Sequence, residues 1–229
     1  MSLSIIVLAA GKGSRMISSK PKVLHEVGNY PMLFHILDTV SSFKNSFVNV
    51  VISHSFLDYK DFIISKYNKV TFSIQSQQKG TADAVNSSLK NIKKQLSDYT
   101  IVLCGDTPLI SKKTIGKSLN KLIKNKLDLC VLSMKPENKN NSYGKLKFKE
   151  NKLVGITEQS EIKKQDKMEI CNSGIMIFKT KRLIENLKLI KNNNRKKEYF
   201  LTDLVEIFYK KKFPIDHYVC NFNETLGVN

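Results

Sequence analysis

The chain has 229 residues, 41% of them hydrophobic, and a formal net charge of +18. That length buries a full core as one domain, or as one domain with a small attached lobe. No apolar stretch approaches the ~20 residues that a membrane helix needs, so no membrane association is expected. The positive excess is nearly all lysine, since only Arg15, Arg182 and Arg195 are arginines. Arginine is the residue suited to bidentate readout of bases and phosphates. The lysines are dispersed, often beside asparagine as in Lys191-Asn192-Asn193-Asn194, and read as a solvated surface that attracts anionic substrates, with no nucleic-acid partner. Cys104, Cys130, Cys171 and Cys220 form no C-x-x-C pair. They suggest neither a zinc site nor a disulfide frame, and fit packing residues in a reducing, cytoplasmic setting.

In chain order, Ile5–Ala9 reads as a strand more readily than as part of a signal peptide, because no basic residue precedes this apolar run and Gly11 cuts it short. Helical spacing follows over Pro31–Phe43, then a strand over Val48–Ile52, a helix over Tyr59–Lys66 and a strand over Val70–Ile74. A helix over Thr81–Lys94, a strand over Thr100–Leu103, a helix over Ser111–Lys124 and a strand over Leu129–Met134 continue the alternation. This rhythm predicts an α/β fold, a Rossmann-like mixed and mostly parallel sheet flanked by helices. Beyond a polar loop at Lys135–Ser142 the pattern changes to short strands at Lys145–Phe148, Leu153–Thr157 and Ile175–Phe178. Helices at Lys181–Ile190 and Thr202–Tyr209, the latter with Thr202 as its cap, and a strand at Ile215–Cys220 complete the chain. The expected organisation is a single domain over 1–229, with a lobe around 135–200 over one edge of the sheet.

The first strand runs into Leu8-Ala9-Ala10-Gly11-Lys12-Gly13-Ser14-Arg15-Met16. Glycines there let backbone N–H groups approach a ligand at the carboxyl end of a strand, where open α/β sheets bind ligands. The sequence is neither a Walker A loop nor G-x-G-x-x-G, because Met16 stands where the third glycine belongs. Taken alone, it fits a tight turn as well as a phosphate site. Arg15 and Lys22, the latter stiffened by Pro21, flank the loop and offer cations to a triphosphate.

Leu8–Met16 followed by Pro21-Lys22-Val23-Leu24-His25 resembles the signature of sugar-1-phosphate nucleotidyltransferases, in the form found in the bacterial N-acetylglucosamine-1-phosphate uridylyltransferases. Further matches recur in order. Gln75-Ser76-Gln77-Gln78-Lys79-Gly80-Thr81 is similar to the uracil-binding segment; an amide offers a donor and an acceptor to the edge of uracil, though a polar loop with a helix start reads the same way. Cys104-Gly105-Asp106 is similar to the metal motif, an aspartate at a strand end; a turn aspartate is the alternative. Tyr143-Gly144-Lys145, Thr157-Glu158-Gln159 and Asn172-Ser173-Gly174 resemble sugar-side segments. Glu198–Asp203 resembles another, assigned only to support the pocket. Gly227-Val228-Asn229 resembles the end of the uridylyltransferase domain, where asparagine is a second ligand to Mg²⁺.

The resemblance implies transfer of uridylyl from UTP to N-acetylglucosamine 1-phosphate, giving UDP-N-acetylglucosamine and pyrophosphate, with Mg²⁺ as cofactor. It assigns catalysis to Arg15 and Lys22, and substrate contacts to Leu8, Ala9, Ala10, Gly11, Gly13, Lys22, Gln75, Gln78, Gly80, Thr81, Cys104, Gly105, Gly144, Glu158, Asn172 and Asn229. It assigns the metal to Asp106 and Asn229. The family's enzymes typically continue into a β-helix acetyltransferase that also forms their trimer, so neither acetyl transfer nor that trimer is expected of this chain. Several positions depart from the family pattern: Ser14 and Ser173 for threonine, Lys20 for leucine, Asp83 for histidine and Cys104 for tyrosine. Cys104 bears most on which sugar fits. Two alternatives stand beside this reading: a different sugar phosphate or nucleotide, and a non-catalytic nucleotide- or nucleic-acid-binding domain.

Overall fold

A computed structural model describes the chain except for Lys12, Ser14, Arg15, Ile17, 138–140, 163–168 and Asn229. In chain order its strands are β1 (Leu3–Leu8), β2 (Glu26–Val27), β3 (Tyr30–Pro31), β4 (Ser46–Ile52), β5 (Thr71–Ile74), β6 (Tyr99–Cys104), β7 (Leu129–Met134), β8 (Lys145–Lys149), β9 (Lys152–Thr157), β10 (Cys171–Lys179) and β11 (Ile215–Val219). Its helices are α1 (Met32–Ser41), α2 (Lys60–Lys66), α3 (Thr81–Gln95), α4 (Lys112–Lys124), α5 (Thr180–Asn186) and α6 (Asp203–Lys210).

Among the described residues the main sheet has nine strands. Seven run in the order β11-β7-β10-β6-β1-β4-β5, and the hairpin β8–β9 joins through β10. Strands β6, β1, β4 and β5 are parallel to their neighbours in that group, and β11 is parallel to β7. Strand β10 lies between the two groups, antiparallel to both. The mixed, mostly parallel sheet expected from the sequence is therefore present.

Alternation along the central strands feeds two cores. Ile5, Val7, Val50, Ile101 and Leu103 face one layer with α1 and α4, while Ile6, Val51 and Val102 face the other with α3, α5 and α6. Helices thus cover both faces, which is why the central strands are apolar on both sides.

Several boundaries differ from the sequence expectation, each for a local reason. Pro31 stays outside α1 because its backbone is extended (ψ 135°) and pairs with Glu26 in the β2–β3 hairpin. The Lys181–Ile190 helix begins at Thr180, ends at Asn186 and tightens into a 3-10 turn over Leu187–Leu189. Thr202 precedes α6 but its side chain makes no cap bond; its hydroxyl donates instead to Glu158. Strand β10 begins four residues before Ile175, with a register shift between Asn172 and Met176 that the apolar pattern hides.

The chain runs from β1 out to β4 and β5, then returns to place β6 on the other side of β1. That reversal is a topological switch point, and Leu8 pairs in register with Cys104 at its carboxyl end. The loops that leave these two residues are brought together there.

Candidate active site

The β1 loop and the β6 loop touch through backbone. The Gly105 N–H donates to the Leu8 carbonyl at 2.9 Å, and a Cβ on Gly105 would stand 3.0 Å from that oxygen and from Val23 Cγ1. Glycine at 105 therefore lets Asp106 sit against the glycine-rich loop. The Lys22 ammonium reaches the Asp106 carboxylate at 2.6 Å, with the two side chains 12% and 29% exposed. Gly13 has φ +56°, and a Cβ there would lie 2.9 Å from Lys22 Cβ, so the loop needs its glycine to fold over that lysine.

The opposite wall comes from the segment between β5 and α3. The Gln75 side chain is buried and its amide nitrogen donates to the Gly80 carbonyl at 3.0 Å and to Asp83 at 2.8 Å. Asp83, a departure from the family pattern, thereby fixes Gln75. The Gln78 amide donates to the Ala10 carbonyl and ties this wall to the glycine loop. Gly80 has φ +111°, and a Cβ there would lie 2.5 Å from the Tyr199 carbonyl oxygen. The Ala82 N–H donates to that oxygen at 2.9 Å, the Tyr199 N–H to the Lys79 carbonyl at 2.7 Å, and the Leu201 N–H to Thr81 Oγ1 at 2.9 Å.

A third wall comes from the hairpin and β10. Thr202 Oγ1 donates to Glu158 at 2.6 Å, the Asn172 N–H donates to the Gly144 carbonyl at 2.8 Å, and the Gly174 N–H donates to Asn172 Oδ1 at 3.1 Å. Gly174 has φ +84° and passes so close to Cys104 that a Cβ would lie 2.9 Å from its sulfur. Burial pushes the Cys104 thiol up to about 12, with Asp106 adding to the shift, Lys22 opposing it and Glu158 adding again. It is a neutral thiol at physiological pH.

These walls enclose a cleft of about 530 Å³. Of the residues singled out in the sequence, Leu8, Ala10, Gly11, Lys22, Gln75, Gln78, Gly80, Thr81, Cys104, Asp106 and Glu158 line it. Ala9 is buried behind the wall, bonded through its N–H to the Val51 carbonyl, and Gly105 is buried likewise. Gly144 and Asn172 support the third wall. Arg15 and Asn229 fall outside the described residues; the Val228 N–H donates to the Asp106 carbonyl at 3.0 Å. Lys196, Glu198 and Phe200 also line the cleft. Lys196 was hidden in a charge run, and its nearness to the Glu198–Asp203 segment was the available signal.

Among the described residues no three His, Cys, Asp or Glu side chains converge to cage a metal. The arrangement fits Mg²⁺ nonetheless, because this ion is usually bound through one or two protein carboxylates and completes its shell with substrate phosphates and water. Asp106 is such a carboxylate, a hard oxygen donor half-open to the cleft. His25 and His35 each donate a ring N–H to a backbone carbonyl, to Lys20 and Val27, and serve the fold.

A glycine-rich loop, a cation–carboxylate pair and an amide-bearing wall meet at the switch point of an α/β domain, where open sheets of this kind bind ligands. The chain belongs to the nucleotidyl transferase family, whose model matches residues 4–221. It is 39% identical to the bifunctional protein GlmU of Thermodesulfovibrio yellowstonii over 99% of this chain and 49% of that protein. It is also 39% identical to GlmU of Campylobacter hominis, over 99% of this chain and 51% of that one. The chain thus spans about half the length of the curated relatives it matches. Among solved structures, it superposes on a UDP-glucose pyrophosphorylase complexed with UDP-glucose with a TM-score of 0.77 at 17% identity, over 94% of this chain and 90% of that one. A putative glucose-1-phosphate thymidylyltransferase from Bacillus anthracis gives a TM-score of 0.74 at 20% identity, over 96% of this chain and 87% of that one. These two likenesses establish the fold.

Proposed function

We propose that this domain transfers the uridylyl group of UTP to the phosphate of N-acetylglucosamine 1-phosphate, releasing pyrophosphate and forming UDP-N-acetylglucosamine. The observation that carries the reading is that separate segments from across the chain, at Leu8, Lys22, Gln75–Thr81, Cys104–Asp106 and Glu158, line one cleft. The identity to GlmU proteins along nearly the whole chain supports uridine and N-acetylglucosamine as the specificities.

In this reading the glycine loop and the Lys22 ammonium receive the triphosphate, and Arg15 joins them. The wall of Gln75, Gln78, Gly80 and Thr81 receives the uracil. Glu158, Gly144 and Asn172 receive the sugar and ribose hydroxyls. A phosphate monoester has a second pKa of about 6, so the attacking oxygen is already ionised at neutral pH and no general base is needed. The domain's own contribution is to align that oxygen with the α-phosphorus and to neutralise charge gathering on the leaving pyrophosphate. Mg²⁺, held by Asp106 and Asn229, would supply further charge neutralisation and orient the phosphates. The 1–229 chain acts as one domain, its 135–200 region forming the sugar-side lobe. We place it in the cytoplasm with small-molecule substrates as its partners.

The test is pyrophosphate release with UTP, N-acetylglucosamine 1-phosphate and Mg²⁺, with glucose 1-phosphate and the other nucleoside triphosphates in parallel. Release that requires UTP and the N-acetylated sugar is the expected result. Release with another pair reassigns the substrate, and no release with any pair refutes catalysis by this chain.

A further inference from the structure

Strand β8 opens with Lys145 and β10 opens with Cys171, and the two residues are partners in the antiparallel pair. Both are buried, the lysine at 8% exposure and the cysteine at 0%. Among the described residues the ammonium has no carboxylate partner. It donates to Asn141 Oδ1 at 2.6 Å and stands 2.9 Å from Cys171 Sγ. The Cys171 thiol also points at Asn141 Oδ1, 3.7 Å away, so one amide oxygen holds nitrogen and sulfur together. The proposed reaction uses neither group. Cys171 is a free thiol, as are the other three cysteines.

We propose that Lys145 and Cys171 form a covalent cross-link when the protein meets hydrogen peroxide. The thiol sulfur first attacks one peroxide oxygen: an S–O bond forms, the O–O bond breaks, water leaves, and the sulfur is oxidised to a sulfenic acid by two electrons as the peroxide is reduced. A sulfenic acid condenses with a nearby thiol or nitrogen nucleophile. Here that nucleophile is Lys145 Nζ once its ammonium has released one proton to water: the N–S bond forms, the S–O bond breaks, and the hydroxyl departs as water with a second proton from nitrogen. The product is a sulfenamide. An added thiol reverses it by attacking sulfur and returning the amine. Peroxide is barely larger than water, and the remaining exposure of the pair is the 8% on the Lys145 side. The bridge would fasten the start of the β8–β9 hairpin to β10, between the backbone bonds Asn172 N–H to Gly144 O and Leu146 N–H to Ile170 O.

The experiment is peptide mass spectrometry on the whole chain after peroxide treatment and alkylation of the remaining thiols. The expected product is a peptide containing Lys145 joined to one containing Cys171, with the summed mass less two hydrogens, lost on treatment with dithiothreitol. A joined pair one oxygen heavier is the same bridge after a second peroxide and also supports the proposal. Cys171 recovered fully alkylated, or as sulfinic or sulfonic acid with Lys145 unlinked, overturns it. Lys145→Arg keeps the charge and removes the primary amine, so its Cys171 should instead be trapped as sulfenic acid by a dimedone probe. The wild-type measurement decides the matter even if that variant folds poorly.

Discussion

Lys22 and Asp106 share a 2.6 Å contact at the mouth of the cleft, so each sets the charge that the other presents. Replacing Lys22 with alanine removes a fixed cation from the phosphate side and should lower turnover at least ~10²-fold, the scale of losing one oxyanion donor. Asp106→Ala should cost a similar factor. If the two work as one unit, the double variant will be little worse than either alone, which steady-state pyrophosphate release on all three proteins measures directly. Asp203 poses a different residue-scale question. Burial, with Glu158, Glu161 and Glu206 adding and Lys147 opposing, pushes its carboxyl from 3.8 up to about 6. Below about pH 4 it is protonated both folded and unfolded and contributes nothing. Between about 4 and 6 the unfolded chain loses its proton first, so stability falls as pH rises through that window and stays lowered above it. The full shift corresponds to roughly 3 kcal/mol. Asp203 is only half-buried, and solvent screening reduces this to about 1 kcal/mol. Asp203→Asn should therefore raise the urea midpoint at pH 7.5 and leave it unchanged at pH 3.5.

At the scale of elements, the start of α3 is held by a segment more than a hundred residues away. The Leu201 N–H donates to Thr81 Oγ1, and the strand-like pairing of Lys79 and Ala82 with Tyr199 continues the contact. Thr81→Val keeps the shape and strands that N–H, at a cost of about 1–3 kcal/mol. The loosened wall should raise the KM for UTP more than it lowers kcat; a change confined to kcat would place Thr81 at the reacting atoms instead. The same contact explains what the sequence could and could not convey. Leu8, Gln75 and Asp106 were legible through the family resemblance of the short segments that hold them, and local patterning placed those segments at strand ends. Lys196 was not, because it lies outside the resembling segments and reaches the cleft only through the long-range stitch of Tyr199 and Leu201 to Gly80 and Thr81. The antiparallel setting of β10 was hidden for a related reason: an apolar strand buried on both faces reads the same whichever way its neighbours run. The β2–β3 hairpin, two residues a side, is too short to show any period. The Lys145–Cys171 contact joins two segments whose spacing carries no motif.

At the scale of the whole molecule, a net charge of +18 surrounds a cleft that we assign to two anionic substrates. Among the described residues the ion pairs engage few of the lysines: Lys22, Lys121, Lys179, Lys181 and Lys210. Most of the positive charge therefore acts through solvent, as a field that raises the local concentration of anions and is screened within about 8 Å at physiological ionic strength. Such a field speeds encounter and leaves the aligned complex alone. Raising salt with an inert electrolyte should lower kcat/KM for UTP by about tenfold, the lower end of the range for electrostatic steering, while kcat holds. A nucleic-acid-binding domain would behave otherwise. Its affinity for DNA or RNA would fall steeply and linearly on a log–log salt plot, with a slope set by the phosphates neutralised. Running UTP kinetics and duplex binding over one salt series separates the two uses of the same charge. Salt-dependent kcat/KM with negligible duplex affinity assigns the lysines to substrate capture. Tight duplex binding with a steep slope, and kinetics indifferent to salt, would assign them to a polyanionic partner.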